Sequence, residues 1–162
     1  MNAAKHQYIR TIIFGVEDSL VSTTGLIAGL GVGTNNKSVV IIGGVVAIAV
    51  EAISMGAGEY ISDDAIEQAN KNSGRSQALT DGLIMLGSYF LAGLIPLLPV
   101  VFFTYPTSLY FSVGFALIGL FLLGYIKSKI LKTNPLRGAL KVAIVGGLAT
   151  ALGIIVGLIF KI

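Results

Sequence analysis

Glu51, Met55 and Glu59 recur at every fourth position of an otherwise apolar stretch, so on a helix they form one stripe. A carboxylate, a thioether and a second carboxylate along one face make a ladder for a cation. Carboxylates alone suit Mg²⁺ or Ca²⁺, whereas the softer thioether points to a transition metal: Fe²⁺ first, with Mn²⁺, Co²⁺ or Zn²⁺ as further fits. Asp18 and Ser22 share a face of the preceding apolar run with Gly25 and Gly29, small residues that admit another helix or an ion. A charged side chain at mid-membrane costs between ~2.5 and ~10 kcal/mol, and nothing basic lies at the depth of Glu51. Asp18 and Glu51 therefore require a proton, a cation, water or a hydrogen-bonding neighbour. This makes both candidate metal ligands and candidate proton carriers, with Met55 and Glu59 as further ligands.

Each residue also has a reading without transport. Met55 can be packing, Asp18 and Glu51 can be neutral acids bonded between helices, and Glu59 can be a solvated glutamate at the interface. Glu17 points about 100° away from Asp18 around the helix, and the sequence assigns it no role.

All eight acids lie in the first half of the chain, and residues 82–126 carry no charge. The third and fourth apolar runs accordingly read as scaffold, with any ion chemistry on the first two. Asp63, Asp64 and Glu67 follow the stripe on an amphipathic extension of the second run. They offer either cytoplasmic metal capture or a solvated face.

These residues sit in a chain that is 54% hydrophobic and 12% charged, with 21 glycines in 162 residues and a mean hydropathy of +0.87. That composition defines a membrane protein. Five segments are long enough to cross a bilayer, at residues 9–32, 39–61, 83–101, 107–126 and 138–160, predicting a single all-α transmembrane domain with no room for a soluble one. The TNNKS turn separates the first two. Pro96 and Pro99 are expected to end the third helix, Thr80-Asp81 to cap its start after a loop at residues 72–74, and Pro106 and Asn134-Pro135 to open the fourth and fifth.

With the N-terminus cytoplasmic, nine of the eleven basic residues fall inside and only Lys37 and Lys161 outside, which places the C-terminus outside. Gly25, Gly29 and Gly33, and again Gly153 and Gly157, are spaced for close helix packing.

Several classes are excluded. The basic residues are scattered between apolar runs and never form one face, so the pI near 9.2 reflects topology, not nucleic-acid binding. The absence of cysteine removes disulfides and thiolate metal sites. Carboxylates interrupt the first apolar run, which lacks a signal-peptide cleavage pattern and is expected to remain as a helix. His6 is the only histidine, no nucleophile–base pair exists, and an enzyme finds no support.

GVEDSLVSTTG (residues 15–25), EAISMGAGEYIS (51–62) and LAGLIPLLP (91–99), in that order within a five-helix layout, resemble the vacuolar iron transporter family. The resemblance covers nearly the whole chain. It implies a homodimer of five-helix subunits that exports Fe²⁺, sometimes Mn²⁺, from the cytosol in exchange for protons, with no cofactor beyond the transported ion. By the same resemblance Asp18 and Met55 carry the metal, and Glu51 and Glu59 match acidic positions of the second helix. Plant and fungal members hold a long glutamate-rich insertion between helices two and three, and this chain has only a short connection there. The compact chain suggests a prokaryotic-type cytoplasmic membrane. The rival readings are a membrane scaffold with neutral interhelical carboxylates and a metal channel without proton coupling.

Overall fold

The computed structural model describes residues 3–69 and 75–161. It contains five helices, α1 (Ala3–Thr34), α2 (Lys37–Ala69), α3 (Arg75–Phe102), α4 (Thr107–Ile130) and α5 (Pro135–Ile159). All five are long and apolar enough to cross a membrane. Polarity is inverted relative to a soluble protein. Thr11, Ser19, Thr23, Ser112 and Thr150 are buried, whereas Ile42, Leu91, Phe102, Tyr110 and Leu152 are more than half exposed. An outer belt of that kind is stable only against hydrocarbon.

The helix ends follow local chemistry. Asn35 adopts a positive φ of 46° and closes α1 through its N–H to the Gly31 carbonyl, 3.0 Å. The neighbouring Asn36 side chain accepts from Ser38 N at 3.0 Å and Val39 N at 3.3 Å, capping α2. Asn134 caps α5 in the same way, with Pro135 in the first turn, as the sequence predicts.

Helix α3 departs from expectation at both ends. It begins at Arg75, so Thr80 and Asp81 lie within it and do not cap it; Asp81 is fully buried and bonded sideways to Gln7 of α1. Pro96 and Pro99 lie inside the helix, which continues to Phe102. Each proline removes one N–H donor, a loss tolerated where packed helices exclude solvent. Ser112 of α4 ties the two helices together here by donating to the Pro96 carbonyl at 2.7 Å. The expected loop at residues 72–74 lies outside the described residues.

Helix α1 is the axis of the bundle. It packs against all four others, while those four touch in chain order, α2 on α3, α3 on α4 and α4 on α5. Helices α2 and α5 do not meet. The ring around α1 is thus open on one side.

The close approach of α1 to α5 explains the glycine spacing. A Cβ on Gly29 would stand 2.8 Å from the Gly153 carbonyl oxygen, and one on Gly33 3.2 Å from that of Gly157. Backbone meets backbone here, and no flexible side chain can give way. Gly29→Ala is therefore expected to destabilise the fold by about 1–3 kcal/mol in detergent unfolding titrations. Gly147→Ala, where nothing lies within 4 Å, is expected to be neutral.

Candidate metal-ion path

Helices α1 and α2 run antiparallel, and their polar side chains meet at three levels. Near the N-terminal end of α1, Gln7 Nε2 donates to Asp63 Oδ2 at 2.9 Å and to Asp81 Oδ2 of α3 at 3.0 Å. One turn along, Thr11 Oγ1 donates to Glu59 Oε1 at 3.0 Å, and Arg10 Nη2 approaches the same oxygen at 3.6 Å. Deeper still, Ser22 Oγ donates to Glu51 Oε2 at 3.1 Å. The Tyr89 hydroxyl of α3 donates to that oxygen too, and stands 2.6 Å from Ser22 Oγ.

The stripe expected from the sequence lies on α2 and extends further along it. Glu51, Met55 and Glu59 are followed at the same spacing by Asp63 and Glu67, so a single row of four carboxylates and one thioether runs down α2. Asp63 is 9% exposed and held by Gln7, and Glu67 turns one oxygen, Oε2, into a buried position with no hydrogen-bond partner. Asp64 faces elsewhere and accepts from Gln68 on its own helix at 2.7 Å. The three acids considered for metal capture therefore divide: two join the row and one does not.

Asp18 differs from the other acids. It is half-buried, feels the charges of Glu51 and Glu17, and has no hydrogen bond or ion pair among the described residues. Met55 is also half-buried. Interpolating between the Thr11–Glu59 and Ser22–Glu51 contacts puts Asp18 at about the level of Met55. Glu17 turns away to α4, where Lys127 Nζ lies 3.4 Å from its Oε2. Among the described residues no three carboxylate or imidazole groups converge on a common point. The row is a series of steps, not a closed chelate.

Reading α3 as scaffold missed two residues. Tyr89, fully buried, orients Glu51, and Asp81 lies within charge range of Asp63, Glu59 and Glu67. Asp81 was visible as an acid but taken for a cap. Tyr89 gave only the signal of one hydroxyl inside an apolar run, which cannot show which helix it faces.

Five apolar helices with acids held between them define this molecule as a polytopic membrane protein. The chain belongs to the VIT family, whose model matches residues 9–76 and 65–158. Among its relatives, vacuolar iron transporter 1 of Oryza sativa subsp. japonica is 25% identical, the alignment covering 90% of this chain and 82% of that protein. Vacuolar iron transporter 1 of Arabidopsis thaliana is also 25% identical over 90% of this chain and 83% of its own. Vacuolar iron transporter homolog 3 of Arabidopsis thaliana shares 25% identity over 90% of this chain and 80% of its own.

The Tyr89–Glu51 contact generates a double-mutant prediction. Tyr89→Phe is expected to cost about 1–3 kcal/mol of stability by leaving Glu51 short of a donor. In a Glu51→Ala background the same change is expected to cost markedly less, measured by unfolding titration of all four variants.

Proposed function

We propose that this protein moves a divalent transition metal, Fe²⁺ first and Mn²⁺ second, out of the cytosol in exchange for protons, along the row on α2 and the facing side of α1. The observation that carries this reading is the row itself: Glu51, Met55, Glu59, Asp63 and Glu67 in register, with Asp18 half-buried and unpartnered beside it. The family and the names of the relatives, iron transporters, support the same cargo.

The hydrogen bonds suggest how exchange would work. Ser22 and Tyr89 point hydroxyl donors at Glu51 but bring no charge, so its carboxylate is oriented without being neutralised. Neutrality in the bilayer must come from a proton or from a cation. A metal ion that takes up the carboxylates of Asp18 and Glu51 therefore displaces protons, and that exclusion is the physical basis of antiport. Met55 adds a soft donor that disfavours Mg²⁺ and Ca²⁺. At the mouth, Asp63 and Glu67 with Asp81 draw cations inward, a reduced substitute for a glutamate-rich insertion.

The positive-inside distribution supports an N-terminus in the cytosol and a C-terminus outside. The open side of the ring between α2 and α5 is where a second subunit would complete the path in a homodimer. The relatives are plant proteins named for the vacuole, so a prokaryotic-type cytoplasmic membrane draws no support from them. Transport as proposed needs only the orientation relative to the cytosol.

The test is Fe²⁺ movement into proteoliposomes with a pH-sensitive dye inside, for wild type and Asp18→Asn. Metal entry with opposite proton flow is expected, falling to the rate of empty vesicles in the variant. Metal movement without protons would make the protein a channel, and no movement in wild type would return it to a scaffold with neutral carboxylates.

A further inference from the structure

Lys127 stands between two cavities of about 580 Å³ each, at the end of the bundle where α4 finishes and α5 begins. One lies between α1 and α4. The other is an open cleft lined by α4, α5 and Glu17 of α1, and it grades from charged to apolar along the helix axis. Lys127, Arg137 and Lys141 line its charged part, and the buried Val142 and half-exposed Val145 line its aliphatic part further along α5.

The charges in this cavity do not balance. Lys127 is paired with Glu17, whereas Arg137 and Lys141, one turn apart on α5, form no ion pair among the described residues. Two free cations thus border a cavity whose inner wall is aliphatic. That wall continues outward into Leu140, Ile144 and Leu148, all about half exposed or more. A soluble anion would use only the charged rim. An amphiphile would use both.

We propose that the α4–α5 cavity binds an anionic phospholipid, its phosphate between Arg137 and Lys141 and an acyl chain along Val142 and Val145. The site lies at the end of the bundle with most of the basic residues, where anionic headgroups gather on the cytoplasmic leaflet. It rests on the membrane reading and the proposed orientation, and is independent of what the protein transports.

Native mass spectrometry of the detergent-solubilised chain, titrated with phosphatidylglycerol or phosphatidylcholine, tests it. Wild type is expected to prefer phosphatidylglycerol, and Arg137→Gln with Lys141→Gln to weaken that lipid by about tenfold or more. Val145→Trp, which fills the aliphatic part and keeps both cations, is expected to weaken it as well. Lys129→Gln with Lys132→Gln removes the same charge outside the cavity and is expected to leave binding unchanged. Equal loss in that control would reduce the effect to general surface charge and overturn the site. Displacement of the lipid by glycerol phosphate would overturn the lipid in favour of a soluble phosphate, and equal binding of the two lipids would remove the role of the cations.

Discussion

A carboxylate in hydrocarbon cannot be left alone, and the way this chain compensates its acids organises the rest of the molecule. Three kinds of partner are used. Hydroxyls serve Glu51 and Glu59, cations at the rim serve Glu59 and Glu17, and the single amide of Gln7 bridges Asp63 and Asp81. Hydroxyl and amide donors are directional but neutral. They fix where an acid points without supplying the charge that would neutralise it. Glu51 is thus oriented but not neutralised by its partners.

Most of those partners come from α1, which contributes Gln7, Arg10, Thr11 and Ser22 to acids on α2 and α3. A helix that must reach several neighbours at once has to be central, and centrality requires small residues where backbones meet. Gly25, Gly29 and Gly33 serve that purpose against α5. Gly15 gives the same room to side chains of α3, where an added Cβ would meet the Ser88 hydroxyl first and the Met85 sulfur at 3.1 Å. The glycines near Asp18 and Ser22 thus admit a helix, not an ion, over this part of α1.

The sequence revealed what periodicity and composition can encode. The five spans, the Asn134-Pro135 start of α5, the packing glycines and the Glu51–Met55–Glu59 stripe follow from local sequence, and the structure contains all of them. What stayed hidden depends on which helix stands opposite. Asp81 carries the same carboxyl whether it caps α3 or accepts from Gln7, and only the position of α1 decides. Tyr89 is one hydroxyl in an apolar run, and its meaning comes from Glu51 on another helix. Pro96 and Pro99 were read by the rule for helices in water, where a lost N–H bond exposes a carbonyl to competing solvent; in a packed bundle the helix continues past them.

The length of the acidic row has its own geometric cause. Positions four apart on a straight helix advance by about 6 Å and turn by about 40°, so a row from Glu51 to Glu67 should wind away from any partner parallel to α2. Over its first half it keeps its neighbours, because the buried surface of α2 winds with it. Val40, Gly44, Ile48, Ala52 and Gly56 are buried at the same spacing of four, and Gly56 meets the Gly82 backbone of α3. Neighbours that follow i, i+4 ridges cross at an angle, and glycine at the crossing lets them do so closely. Glu51, Met55 and Glu59 each stand one residue before Ala52, Gly56 and Tyr60, alongside the packed ridge throughout. The small residues of this ridge thus let α3 approach α2 closely beside Glu51 and Met55, which keeps Glu51 within reach of Ser22 on α1 and Tyr89 on α3.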